Sequence, residues 1–151
     1  MLKIAEPAAI KHVMNLMAIR GGSGDETKVS NFIIAALKSI GVPASAFAID
    51  TANKRSPIGG ATGNLIVKLK GTKRGPRRLL MAHMDTVPLA VDSEPVRDGD
   101  WIRPKSSTTA LGADDRAGCA VLLTAVQELY RQKLDHPPLT LLFTVQEEIG
   151  L

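Results

Sequence analysis

The chain has 151 residues, 44% of them hydrophobic, enough for one globular domain with its own core. Its formal charge of +4 and pI near 9.4 come largely from Lys68, Lys70, Lys73, Arg74, Arg77 and Arg78, around Gly71 and Gly75-Pro76. Aromatic residues are 3% of the chain and none interrupts this cluster; a nucleic-acid surface wants stacking rings beside its cations, so that partner is excluded and a solvated turn is expected.

In chain order, Pro7 is placed to open a helix carrying Ile10, Val13, Met14 and Met17 at helical spacing, with Gly21-Gly22 ending it. Ser23-Gly24-Asp25-Glu26 has the form of a capping box for a second helix, whose apolar face is Val29, Ile33, Ala36, Leu37 and Ile40. Gly41 stops that helix. Strands are expected at Ala46 to Ile49 and Asn64 to Leu69, separated by a surface loop from Ala52 to Gly63. Leu79 to Ala82 reads as a buried strand, and Asp98-Gly99 as a hairpin turn between Val96 and Trp101. A third helix after Asp115 presents Leu122, Ala125, Val126 and Leu129. His136-Pro137-Pro138 breaks it before a last strand from Leu139 to Val145.

Strand, helix and strand from Leu79 to Val145 predict an α/β fold: a mixed sheet flanked by helices, in one domain spanning residues 1–151. Cys119 lies in a small apolar run, cannot form an internal disulfide, and reads as a buried hydrophobe in a reducing compartment. The opening Met1 to Pro7 lacks the apolar core of a signal peptide, and no stretch approaches a membrane span. A cytoplasmic chain without membrane partners is expected.

Three clusters carry possible chemistry. In His83-Met84-Asp85-Thr86-Val87-Pro88, residues two apart on extended backbone face the same way, so Asp85 can hold the second ring nitrogen of a metal-binding His83. Standing alone, the pair reads as a structural hydrogen bond rather than a metal ligand. Asp114-Asp115 stands where a loop enters a helix; capping accounts for one aspartate, and the other can face the sheet edge and bridge two cations. Glu147-Glu148 follows a largely apolar strand, so one glutamate can bind metal while its neighbour acts as general base. In isolation these would pass for surface acids. His12 and His136 are poor ligand candidates.

The conjunction and order of these clusters, with Gly63-Asn64-Leu65, Leu111 to Gly118 and Thr144 to Leu151, resemble the dinuclear zinc peptidases of the aminoacylase and carboxypeptidase family. The similarity is greatest to the tripeptide aminopeptidase (peptidase T) branch and runs from about Ser23 to the end. Val87-Pro88 argues against the other dinuclear aminopeptidase family, which orders its ligands alike. The resemblance implies two zinc ions, His83 on the first, Asp114 bridging both and followed by a cis peptide, and Glu148 on the second. It further implies Asp85 orienting His83, Glu147 as general base, a short peptide substrate and a homodimer in the full-length form. Arg116 stands where the family commonly has lysine, and little consequence is expected.

Family members are longer and supply a further acidic ligand, a late histidine and a lid or dimerisation domain. With two ligands for each zinc here, where a catalytic zinc ordinarily takes three and a water, the 151-residue chain is expected to bind zinc weakly and to hydrolyse little. It is also expected to expose a sheet edge. Related carboxypeptidase or N-acyl amino acid deacylase activities share this metal chemistry, and a non-catalytic remnant or interaction module is the reading from another class. Cobalt or manganese suits such oxygen-rich ligands as well.

Overall fold

Pattern and punctuation divide the chain into three helices and six strands in the computed structural model, which describes residues 4–150. In order these are α1 (Glu6–Ala18), α2 (Thr27–Ser39), β1 (Phe47–Ile49), β2 (Leu65–Leu69), β3 (Arg78–His83), β4 (Pro95–Asp98), β5 (Trp101–Pro104), α3 (Ala113–Arg131) and β6 (Leu139–Thr144). Residues 1–3, part of the stretch read as lacking a signal peptide, and Leu151, the end of the Glu-Glu motif, lie outside the described residues. Among the described residues no helix is long and apolar enough to cross a membrane.

The main sheet has the order β1-β2-β6-β3. β1 and β6 both run antiparallel to β2, whereas β3 and β6 are parallel, with Leu80 opposite Leu141 and His83 opposite Thr144. The sheet is therefore mixed and flanked by helices, as expected. The β3–β6 crossover passes through α3, which packs on β3 and on α1. The hairpin β4–β5 forms a separate two-stranded sheet whose loop is Gly99-Asp100, one residue beyond the expected turn.

Alternation decides which face is buried. Leu65, Val67 and Leu69 of β2 and Leu139, Leu141 and Phe143 of β6 enter one core with Val29, Ile33 and Leu37 of α2 and Cys119, Ala120, Leu123 and Val126 of α3. The intervening Ile66, Leu142 and Thr144 are only partly covered. Burial of alternate residues shows cover on one side of these strands.

Three local expectations are corrected. Ser23 does not cap α2, because Glu26 occupies the cap position and makes no side-chain capping bond. Ala125 of α3 is exposed and Leu123 is buried in its place, a shift of the apolar stripe toward the sheet. The run Leu79-Leu80-Met81 is not core: these side chains are 58%, 37% and 59% exposed, because β3 pairs with β6 on one side and has no strand on the other among the described residues.

Such an edge offers unpaired N–H and C=O groups beside apolar side chains, which favours association. Met81→Lys should lower concentration-dependent light scattering of the chain while leaving its melting temperature nearly unchanged, since Met81 contributes little to the core.

Candidate metal centre

The parallel pair β3–β6 sets the place of the site. Both strands end at the same edge of the sheet, the position where open α/β sheets carry ligands. The Met84 N–H extends the ladder by one bond to the Thr144 carbonyl at 2.8 Å, and beyond it the two chains separate. The start of α3 fills the space between them.

There the three clusters meet. His83 Nε2 lies 3.0 Å from Asp114 Oδ1 and 3.8 Å from Glu147 Oε2. One donor atom each from His83, Asp114 and Glu148 lie within 4.8 Å of one another. His83 is buried, whereas the Asp114 side chain is 87% exposed and so free to turn toward a ligand. His12 bonds Gln127 Oε1 at 2.7 Å, and His136 Nδ1 donates to the Pro137 carbonyl at 2.8 Å. Neither joins the cluster.

Electrostatics follow from this crowding. Burial opposes charge on His83, but the Asp114 hydrogen bond and the charges of Asp85, Asp115 and Asp114 outweigh it and hold the imidazole above its ordinary range. The Glu148 carboxyl is pushed up by burial and by Asp114, Asp85 and Glu147, against the pull of His83.

Asp85 is fully buried and does more than face His83. Its Oδ1 lies 3.3 Å from His83 Nδ1, outside hydrogen-bond geometry, and that ring nitrogen has no partner among the described residues. Asp85 instead accepts the Glu147 N–H on Oδ1 and the Glu148 N–H on Oδ2, both at 3.1 Å, and the Ser23 hydroxyl on Oδ2 at 2.6 Å. The neighbouring amides are held in the same manner. Val145 N–H donates to Asn64 Oδ1 at 3.0 Å, and Gln146 N–H to Glu26 Oε1 at 3.1 Å. Four successive N–H groups, from 145 to 148, thus end on side chains of three separate segments.

Asn64 is held in turn by Asp50, which accepts its backbone N–H at 2.8 Å and its side-chain amide at 3.0 Å. A Cβ on Gly63 would lie 2.2 Å from the Asp50 carbonyl oxygen, so only glycine admits this approach. Ser23, Glu26 and Gln146 were missed as site residues by sequence reasoning. Their signal was proximity to a motif, and the capping reading absorbed Ser23 and Glu26.

The Asp114–Asp115 peptide is cis, and these residues lie off helical geometry at the start of α3. Asp115 Oδ1 accepts the Gly118 N–H at 3.0 Å, the capping role expected of one aspartate, and a Cβ on Gly118 would lie 2.1 Å from that oxygen. Cys119 donates to the His83 carbonyl at 3.2 Å, and burial pushes its thiol up to about 12. It is a packing residue, not a nucleophile.

Arg116 is buried, and its guanidinium donates to the carbonyls of Leu16 at 2.7 Å, Ile19 at 3.0 Å and Gly21 at 2.7 Å. Its charge also faces the buried Asp85 and Glu26. The expectation of little consequence at this position overlooked the planar fork, which reaches three carbonyls from one side chain.

The likeness to known proteins runs through the same elements. The family described as M42 glutamyl aminopeptidase matches residues 96–151, a stretch holding Asp114 and the Glu147-Glu148 pair but not His83. Carboxypeptidase G2 of Pseudomonas sp. (strain RS-16) is 34% identical over 153 residues, covering 96% of this chain and 34% of that protein. A tripeptidase of Staphylococcus aureus subsp. aureus Mu50 superposes over 97% of this chain with a TM-score of 0.86 and 28% identity. Aminopeptidase PepT of Bacillus cereus ATCC 10987 does so over 97% with a TM-score of 0.87 and 27% identity. The chain is similar in fold and sequence to these tripeptidase, aminopeptidase and carboxypeptidase proteins. It spans 38% of the length of each of the two structures.

Two substitutions test this framework. Asp85→Asn would turn an NH2 group toward an amide N–H and should cost about 1.5–3 kcal/mol in urea unfolding, the usual loss for a hydrogen bond to a charged group. Arg116→Lys cannot keep all three carbonyl bonds and should cost roughly 1–3 kcal/mol in the same measurement, with the cluster at His83 unchanged in the amide spectrum.

Proposed function

We propose that this protein is a zinc-dependent exopeptidase, an aminopeptidase acting on short peptides. The observation that supports this reading is the convergence of His83, Asp114 and Glu148 donors within 4.8 Å, with Glu147 beside them. One imidazole nitrogen and carboxylate oxygens are the donor set zinc takes. The 3.0 Å between His83 Nε2 and Asp114 Oδ1 is near the roughly 3.3 Å that separates tetrahedral ligands at zinc distances. The residues present therefore fit the metal: His83, Asp114 and Glu148 would hold it. Cobalt or manganese would be accepted by the same oxygens.

Zinc bound there would supply Lewis acidity to the scissile carbonyl and to the attacking water. The work of this chain's residues is to move the proton and hold the geometry. Glu147, exposed and not needed as a ligand, accepts a proton from water as its oxygen bonds to the carbonyl carbon. The same carboxyl returns that proton to the amine nitrogen as the peptide C–N bond breaks. Asp85 keeps Glu147 and Glu148 apart in role by holding both their backbones, and lies beside His83 on the side away from Asp114.

A carboxypeptidase is the second reading, favoured by the match to carboxypeptidase G2 over nearly the whole chain. The two share everything described above and differ in which terminus of the peptide is held. A non-catalytic module is the outcome if the donors bind no metal.

Calorimetric titration with zinc tests the central claim. Zinc binding that His83→Ala abolishes is expected. Absence of His83-dependent binding would overturn the assignment. The pH dependence has a definite sign. Zinc and a proton compete for His83, whose folded value is raised, so affinity should weaken as pH falls through that value, by about tenfold per unit in the limit. Without metal the sign reverses. Protonated His83 favours the folded state below its unfolded value, and this contribution is lost as pH rises through the raised folded value.

A further inference from the structure

Glu26 is a buried carboxylate with no part in the chemistry described above. It occupies the cap position of α2 yet makes no capping bond to that helix. Its Oε1 accepts two N–H groups elsewhere, from Gly24 at 2.8 Å and Gln146 at 3.1 Å. Its side chain is fully buried near Asp85, a like charge. Burying an acid beside another acid is unfavourable, and the nearby Arg116 charge and two N–H groups offset that only in part. A folding role alone does not account for a carboxylate here.

The bond to Gln146 does. Gln146 is the residue at which the chain leaves β6 and turns, with φ of 60°, a left-handed conformation unusual for a residue with a side chain. That turn carries Glu147 and Glu148 toward His83. The Gln146 N–H is buried and beyond the reach of the sheet ladder, so it needs an acceptor from elsewhere. The Gln146 side chain is tied to the Ser56 hydroxyl and the Gly59 carbonyl, which leaves its backbone N–H to Glu26. From the same segment Ser23 donates to Asp85, which holds the next two amides.

We infer that Glu26 is a positioning residue for the metal centre: it fixes the Gln146 turn through the backbone N–H and thereby sets where Glu147 and Glu148 stand. This rests on the reading of the cluster as a metal site. No contact of Glu26 with substrate or metal is involved; it acts through the turn.

The test uses the 15N-labelled chain, with amide hydrogen exchange and zinc calorimetry on the same samples. In the parent, the Gln146 amide should exchange at least tenfold more slowly than an open turn amide. Glu26→Met removes the acceptor and keeps the volume. It should speed Gln146 exchange at least tenfold while Leu141 and Phe143 keep their protection, and weaken zinc binding by about 10–100-fold, the range for residues that support ligands. Glu26→Gln keeps a carbonyl oxygen and should restore both readings to within about threefold of the parent. Unchanged Gln146 exchange and zinc affinity in Glu26→Met, with only a lower melting temperature, would overturn the inference. So would an unprotected Gln146 amide in the parent, a result that stands even if Glu26→Met does not fold. Failure of the parent to bind zinc would instead overturn the metal-site reading, and the exchange comparison would still decide whether Glu26 holds the turn.

Discussion

Beyond Thr144 the chain leaves the sheet, and its next four N–H groups lose the ladder that would have satisfied them. A buried donor without a partner costs about 1–3 kcal/mol, so four in succession constrain everything around them. Asn64, Glu26 and both oxygens of Asp85 meet that demand in order, at 3.0 to 3.1 Å. The rest of the site depends on this substitution of side chains for a missing strand. Because the acceptors come from the loop before α2, the start of β2 and the end of β3, the turn carrying Glu147 and Glu148 cannot form until those elements are assembled.

The arrangement also explains why so much charge is buried near one sheet edge. Asp85 and Glu26 are both fully buried, and burial, with the Asp85 charge nearby, pushes Glu26 up. Backbone N–H groups aimed at the carboxylates offset part of that penalty, and Arg116 supplies a positive charge from the first turns of α3 while binding the carbonyls of Leu16 in α1 and of Ile19 and Gly21 just past it. α1, α3 and the Ser23–Glu26 segment are thereby joined behind the cluster. The front, with Asp114 and Glu147, is left open to solvent.

A metallopeptidase reading needs ligands that are close but not already neutralised by one another. His83 and Asp114 are in contact, and the proton that the acids favour on the imidazole occupies the direction a metal would take. Glu147 Oε2 stands 3.8 Å from His83 Nε2, with its backbone held by Asp85 and its side chain largely exposed.

Much of this was legible in the residues themselves. His83, Asp85, Asp114, Glu147 and Glu148 stand out because acids and an imidazole follow apolar strands or open a helix, and that depends on local pattern alone. The α/β fold followed from strand, helix and strand between Leu79 and Val145 and from the Pro and Gly breaks. Whether Leu79, Leu80 and Met81 lie inside or at an edge was not legible, since apolar sequence is the same in both and only strand order distinguishes them. Nor was the service of Ser23 and Glu26. Serine and glutamate three apart fit a helix cap on local grounds, and their true partners, Asp85 and Gln146, lie 62 and 120 residues away. Local chemistry determined which residues could react; long-range packing alone decided which acceptors hold them still, because a hydrogen bond across the fold leaves no periodic trace in the chain.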